Sequence, residues 1–81
     1  MEKLNDFWSE EVQKLTLEKL DVMSCVKNYK DPYHGCVSEL DHGKVVISNV
    51  VVENCFPLPG DKVIAEYDSV ENMIKAGWVI D

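Results

Sequence analysis

The sequence contains no arginine, and all eight of its basic residues are lysine. Fifteen Asp and Glu residues outnumber them, so the formal net charge is −7 at pH 7. Nucleic-acid binding depends on clustered Lys and Arg that neutralise phosphates, and Arg supplies the bidentate contacts to bases. Anionic membrane surfaces also attract basic segments. The charge argues against both classes of partner, and its simplest role is solubility.

Long apolar runs, glycine and cysteine are also scarce. No segment approaches the roughly 18 consecutive apolar residues of a membrane-spanning helix, and residues 1–8 carry acids where a signal peptide has an apolar core. The four glycines are scattered, which excludes a glycine-rich phosphate-binding loop. Three cysteines are an odd number without the dense spacing of a secreted disulfide scaffold. We therefore expect a cytoplasmic protein with reduced thiols.

The length and composition predict a single domain over residues 1–81. The chain is 46% hydrophobic and 28% charged, which is typical of an ordinary soluble globular domain. A domain of this size buries only about two-thirds of the surface that its unfolded chain exposes. Its stability margin is correspondingly small, so a dimer interface would add to it.

The most informative segment is residues 44–54, in which six of eleven residues are Val or Ile. These β-branched residues favour strands, whose side chains alternate between two faces. One face carries Val45, Ile47 and Val51, and the other carries Val46, Val50 and Val52. A strand that is apolar on both faces is typical of the centre of a sheet with a cover on each side.

The N-terminal third predicts a helix followed by a strand. A helix over residues 3–15 would place one apolar stripe on a single face. That stripe consists of Leu4, Trp8, Val12 and Leu15. Beyond Thr16 the period changes to an alternation, which predicts a strand over about residues 20–27.

The segments on either side of residues 44–54 predict how this strand is connected to the elements before and after it. Residues 36–40 are extended, and the short loop 41–43 ends in Gly43, so we expect a β-hairpin with the central strand. On the other side, Pro57 and Pro59 cannot donate a backbone hydrogen bond to a strand ladder. They predict that the central strand is followed by a turn over residues 55–60.

The C-terminal segment predicts a strand, a short helix and a final edge strand. Residues 62–67 alternate, and residues 68–71 have the form of a capping box that starts a helix. Gly77 is at the position just after the helix, where many helices end with a residue in the left-handed conformation, and Trp78 follows it. The whole pattern predicts an α+β fold: an N-terminal helix, a mainly antiparallel sheet of four to five strands and a short C-terminal helix.

Residues 67–78, YDSVENMIKAGW, resemble the tail of many short uncharacterised bacterial proteins, including some from mobile integron gene cassettes. The resemblance consists largely of a helix cap and a helix stop. It implies a small α+β domain that self-associates. Because such proteins share no common activity, it implies no catalytic or binding residue.

The cysteines and histidines offer ligand types for zinc. The set is Cys25, Cys36, Cys55, His34 and His42. No Cys-x2-Cys pair is present, so the spacing of a structural zinc site is missing. We expect no metal and no cofactor, and we interpret the cysteines as small buried or half-buried apolar residues.

A catalytic thiol would need a histidine within hydrogen-bond reach. The hairpin separates His42 from Cys55 by the length of the central strand, about 35 Å. His34 lies nearer, so His34 with Cys55 or Cys36 is the better pair. The sequence shows no other catalytic pattern, and we assign no catalytic residue.

The loop of residues 29–34 and the proline-rich turn lie at the same end of the hairpin. Aromatic side chains beside a rigid turn can form a shallow ligand site or an interface. The candidate ligand-binding residues are Tyr29, Tyr33, His34, Cys36, Phe56 and Leu58. The simpler interpretation is a packed surface loop whose Tyr hydroxyls are in water.

Two short helices can cover only one face of the sheet, so the other face of the central strand needs a partner. We therefore expect a self-associating, non-enzymatic binding module, first of all a dimer, with Val46, Val50 and Val52 at the interface. The alternative is a small-molecule-binding protein or minor enzyme that uses His34, Cys36 and Cys55. A third interpretation is an acidic protein that docks on a basic partner.

Overall fold

Five antiparallel strands and two helices make up residues 3–81, the part of the chain that the computed structural model describes. The elements are α1 (Glu10–Lys19), β1 (Cys25–Lys27), β2 (His34–Asp41), β3 (Lys44–Glu53), β4 (Phe56–Tyr67), α2 (Val70–Lys75) and β5 (Val79–Ile80). The strand order is β4-β3-β2-β1-β5, and every neighbouring pair is antiparallel. The predicted α+β fold is confirmed. Neither helix in this part of the chain is long and apolar enough to cross a membrane.

Strand β3 contains no β-bulge, whereas both of its neighbours, β2 and β4, have extra residues that interrupt the register with β3. Ser38 is an extra residue of β2, because Val37 pairs with Ile47 and Glu39 with Val46. Further extra residues lie in β4 between positions 59 and 65. The alternation of β3 is therefore unbroken. Its odd-numbered residues face one side, here called the α2 face, and its even-numbered residues face the other, here called the far face.

The main core lies on the α2 face of the sheet. Its fully or almost fully buried members are Val26, Val37, Val45, Ile47, Met73, Ile74 and Trp78. The indole nitrogen of Trp78 donates a hydrogen bond of 3.1 Å to the hydroxyl of Tyr67. Burial of each such side chain is worth about 1.5–3 kcal/mol relative to exposure. Helix α2 lies against β3 and β4, and α1 lies against β5 and α2.

The predicted helix over residues 3–15 is wrong in its bounds and in its buried face. Ser9 is the N-cap, and its hydroxyl accepts the Val12 N–H at 3.3 Å. Leu15, expected to be buried, is 44% exposed, whereas Gln13 and Thr16 are fully buried. The polar residues face inward because the neighbouring backbone needs their hydrogen bonds, which an apolar periodicity does not register.

Gln13 fastens the segment before α1 onto the helix. Its side-chain oxygen accepts the Leu4 N–H at 2.8 Å, and its side-chain nitrogen donates to the carbonyls of Asn5 at 2.9 Å and Trp8 at 2.8 Å. Thr16 links α1 to β5, since its hydroxyl accepts the Ile80 N–H at 3.0 Å. Throughout residues 3–81, no buried side-chain nitrogen or oxygen lacks a partner.

The predicted strand over residues 20–27 is shortened to β1. Residues 21–24 form a turn, in which the Ser24 N–H donates to the Asp21 carbonyl at 3.1 Å and Ser24 Oγ accepts the Asp21 N–H at 3.0 Å. Met23 has a φ of 74° there. These local side-chain hydrogen bonds compete with the strand that the alternation predicts.

The predicted turn over residues 55–60 is also wrong. Asn54 and Cys55, with φ values of 52° and 68°, form the turn, and Pro57 and Pro59 lie inside β4. Strand β4 is at the edge of the sheet, so a missing N–H can face outward without breaking a ladder. The sequence does not show which strand is at the edge.

The hairpin of β2 and β3 and the ending of α2 are confirmed. His42 and Gly43, with φ values of 50° and 86°, make a two-residue turn typical of hairpins. At the end of α2, the Gly77 N–H donates to the Ile74 carbonyl at 2.9 Å and the Trp78 N–H to the Met73 carbonyl at 3.2 Å. This pair of bonds is a Schellman ending.

We expect Gly77→Ala to destabilise the protein more than Gly43→Ala. Both glycines have positive φ, which costs an alanine about 1–2 kcal/mol. A Cβ on Gly77 would also lie 2.5 Å from the Tyr29 ring and 2.6 Å from the Asn28 side chain, and such overpacking adds about 1–3 kcal/mol. At Gly43 the nearest atom is the Asp68 carbonyl oxygen at 3.7 Å. Urea denaturation of the two variants measures the difference, and equal losses would contradict the close packing at Gly77.

We expect Gln13→Ala to lower the free energy of unfolding by about 2–4 kcal/mol, because it empties a fully buried position and leaves half-buried backbone groups without partners. Leu15→Ala, two positions along the same helix, should cost less than about 1 kcal/mol, because Leu15 is largely exposed. Thermal or urea unfolding of both variants checks the order. A larger loss of stability for Leu15→Ala than for Gln13→Ala would indicate that the predicted apolar stripe is the buried face of α1 after all.

Candidate functional site

A cavity of about 390 Å³ opens where β1, β2 and the β3–β4 hairpin meet. Its lining residues are Cys25, Val26, His34, Gly35, Val50, Pro57 and Asp81. Register places Cys25, His34, Val50 and Pro57 on the far face, since cross-strand partners share a side. The cavity therefore belongs to the side of the sheet that α2 does not cover, and its volume lies in the range of small-molecule sites.

Two thiols meet beside this cavity. Cys25 and Cys36 are partners in the β1–β2 ladder, and their Sγ atoms are 3.8 Å apart. Cys25 is half-buried and lines the cavity, whereas Cys36 is fully buried. The third cysteine, Cys55, is exposed in the turn between β3 and β4.

The thiol of Cys36 has a perturbed acidity. Burial and the neighbouring Cys25 sulfur raise the pKa of Cys36 from 9.0 to about 11. At neutral pH it therefore holds its proton firmly. A buried, protonated thiol is a poor nucleophile and a poor metal ligand until something removes that proton.

Charged groups lie at the edge of the cavity. The ammonium of Lys27 is 3.8 Å from the carboxylate of Asp81, and the Asp81 N–H donates to the Cys25 carbonyl at 2.9 Å. Lys27 also lies over the Trp8 ring, 5.0 Å from its centroid. Asp81 thus lines the cavity together with Cys25, and its carboxylate is paired with the ammonium of Lys27.

Beyond Ser48, β3 has β4 as its only partner strand, because the β2–β3 ladder ends at the Cys36–Ser48 pair. Residues 50–59 therefore form a two-stranded extension, here called the arm. Val52 is 71% exposed and Phe56 is 68% exposed. Glu53 is the one charged residue of the arm. The arm is an exposed, almost uncharged surface on an acidic chain.

The six candidate ligand-binding residues do not converge on one site. His34 lines the cavity, and Cys36 lies under it through its contact with Cys25. Phe56 and Leu58 flank Pro57 in β4, and they pair with Glu53 and Val51 on the opposite side of the arm. Side chains alternate along a strand, so Phe56 and Leu58 are on the side of β4 that faces away from the cavity, whereas Pro57 is on the side that faces it.

Tyr29 and Tyr33 lie in the loop between β1 and β2, outside the lining of the cavity. The Tyr29 ring stacks on Phe7 with centroids 4.6 Å apart, and Lys30 lies 5.8 Å from the Tyr29 centroid. Phe7 in turn meets Trp8 edge-on at 4.8 Å. These aromatics form a separate surface cluster that packs the N-terminal segment against the loop.

The three candidate interface residues differ in exposure. Val46 is only 7% exposed, Val50 is half-buried at the cavity, and Val52 is exposed on the arm. All three are on the far face, as the alternation requires. Of the three, the one that is exposed is thus on the arm, away from the middle of β3.

No three His, Cys, Asp or Glu side chains of the described residues come together as a metal site would require. His42 lies in the β2–β3 turn, 3.4 Å from the Asp41 carboxylate, and Cys55 lies in the turn at the other end of β3. A second hollow, of about 340 Å³, lies near the His42 end and is lined by Lys44, Glu66, Tyr67, Asp68 and Asn72.

Sequence reasoning left open the register that pairs Cys25 with Cys36, and it missed the position of Asp81. The pair becomes visible once β1 is aligned on β2 through the short loop, because residues 25 and 36 are then opposite each other. Asp81 follows β5, whose pairing with β1 joins segments more than fifty positions apart. No local pattern carries that information.

Comparison of the chain with protein-family models, curated proteins and solved structures finds no match. The likeness of residues 67–78 to integron-cassette proteins therefore stays a prediction.

We expect the stability of the protein to fall as the pH rises from 9 to about 11. The folded state raises the pKa of Cys36, so the unfolded chain loses this proton first. The contribution is fully present below pH 9 and is lost above about 11, with a size of roughly 1–3 kcal/mol.

Urea denaturation across this pH range checks the expectation. Cys36→Ala should lose less stability with rising pH than the wild type, whereas Cys55→Ala, which removes an exposed thiol, should behave like the wild type. Parallel pH profiles for the wild type and Cys36→Ala would contradict the burial of this thiol.

Proposed function

We propose that the protein is a self-associating, non-enzymatic interaction module whose copies join through the arm. The observation that carries this proposal is the exposure of Val52 on one face and of Phe56 on the other face of a two-stranded extension with a single charged residue. Large exposed apolar patches on small domains commonly mark interaction sites. Depletion of charge is the compositional mark of an interface core.

Charge favours a second copy of this chain as the occupant of the arm. Each copy carries a net charge of −7, so two copies repel wherever their acidic surfaces approach. Contact between the two arms keeps that repulsion small, since only Glu53 is charged there. A basic partner would instead select an acidic surface, which the arm does not offer.

The size of the arm sets the expected strength of the association. Ten residues per copy are fewer than the 20–30 per side of a standard interface, which buries about 800 Å² per partner. We therefore expect a weak dimer, with a dissociation constant on the order of micromolar. Each copy would contribute the same surface, as a two-fold symmetric dimer requires.

We expect Val52→Asp to shift the protein to monomer, because it places a charge in the centre of the contact between arms. Val22→Asp is the matched control: Val22 is 45% exposed in the turn after α1, outside the arm. Sedimentation velocity over a concentration series measures both variants. Val46→Asp is unsuitable, because Val46 is buried within one chain and the charge would disturb the fold.

Two outcomes would remove the proposal. One is a monomeric wild type at concentrations well above micromolar, and the other is a Val52→Asp variant that associates as the wild type does. Salt provides an independent check. Screening of the repulsion between two acidic copies should strengthen self-association, whereas binding of a basic partner weakens with salt.

A second candidate function rests on the cavity between β1, β2 and the arm, whose volume of about 390 Å³ suits a small molecule. Native mass spectrometry of the purified protein separates the two candidates. A dimer without an adduct favours the interaction module. A monomer with a bound small molecule favours a ligand-binding protein that uses His34 and the apolar lining.

A further inference from the structure

The contact between Cys25 and Cys36 has the backbone geometry of a cross-strand disulfide site. Hydrogen bonds link the Asn28 N–H to the Tyr33 carbonyl and the Val37 N–H to the Ser24 carbonyl, both at 2.9 Å. Because antiparallel pairs alternate, Cys25 and Cys36 form a non-hydrogen-bonded pair, in which Cα atoms are about 4.5 Å apart. Disulfides span about 4.4–6.8 Å between Cα atoms.

The two sulfurs differ in their access to solvent. Cys25 lines the cavity, so a small reagent can reach its sulfur, whereas Cys36 is fully buried behind it. The distance of 3.8 Å between the sulfurs is a direct contact, with no side chain between them. A reagent would therefore react with Cys25 first, and Cys36 would then be in contact with the modified Cys25 sulfur.

We propose that Cys25 and Cys36 are a dithiol modification site that low-molecular-weight disulfides oxidise to an intramolecular disulfide. The Cys25 thiolate attacks one sulfur of the reagent, forms a mixed disulfide and expels one thiolate, which takes up a proton. Cys36 then gives its proton to solvent and attacks Cys25 Sγ, expelling the second thiolate. In total, two protein thiols and one small disulfide become one protein disulfide and two small thiols.

The order of attack follows from burial and acidity. Cys36, with its pKa raised to about 11, supplies little thiolate at neutral pH and does not begin the reaction. In the second step, the small thiolate fraction of Cys36 is offset by its closeness to Cys25. The strand pairing fixes the two sulfurs side by side, so Cys36 acts at a high effective concentration. The site lies within one chain, so it does not depend on the proposed self-association.

Oxidised glutathione tests the proposal on the Cys55→Ser protein. This change removes the exposed third thiol and with it disulfides between copies, and it leaves both members of the pair in place. Lys27 and Lys30 lie between the two cysteines, so trypsin separates Cys25 and Cys36 into different peptides. We expect mass spectrometry to show the two peptides joined, a loss of two hydrogen atoms from the whole protein, and no retained glutathione.

Two further variants resolve the steps. With Cys36→Ser added, Cys25 should hold a stable glutathione adduct, because no thiol remains to displace it. With Cys25→Ser added, Cys36 should stay unmodified, because its sulfur is buried.

The Cys55→Ser protein alone decides the proposal, even where one of the added serines prevents folding. Two free thiols after treatment would overturn it, and so would a stable adduct on Cys25 beside an unreacted Cys36. Closure should also slow by at least about tenfold in urea, where the fold no longer holds the sulfurs together. Equal rates in urea and buffer would contradict the role given to the strand pairing.

Discussion

The turn at Gly77 joins four parts of the molecule. The Gly77 carbonyl accepts the Trp8 indole N–H at 2.6 Å, and the Asn28 side chain donates to the neighbouring Ala76 carbonyl at 3.2 Å. The position of its missing Cβ is already taken by the Asn28 and Tyr29 side chains. The N-terminal segment, the β1–β2 loop, α2 and β5 therefore share one point, which only a glycine with positive φ can occupy. Trp78 enters the core directly after it.

Much of the fold was predictable where a local pattern has a single physical interpretation. The β-branched run of β3, the hairpin turn at Gly43 and the helix ending at Gly77 each depend on the conformational preferences of a few adjacent residues. The errors arose where a partner distant in sequence decides. Gln13 is buried because backbone groups of the segment before α1 need its hydrogen bonds, and Pro57 lies in a strand because that strand is at the edge.

The candidate site was less predictable than the fold, for a related reason. His34 and Cys36 could be placed at one end of the hairpin, but the partner of Cys36 depends on the register between β1 and β2. A shift of one residue in that register would put Cys25 on the opposite face from Cys36. The same alternation sends Phe56 and Leu58 away from the cavity. A ligand site built from alternate residues of several strands leaves no contiguous pattern in the sequence.

The anchoring of the N-terminal segment has a consequence for the order in which the protein can be made. Asn5 donates to the Ile74 carbonyl and Trp8 to the Gly77 carbonyl, and each bond spans 69 positions. At about 5–20 residues per second, a ribosome needs between about 3 and 14 seconds to cover that interval. A ten-residue helix is marginal by itself in water. Helix α1 therefore emerges before α2 and β5, against which it packs, and during that interval its segment is open to a chaperone or a protease.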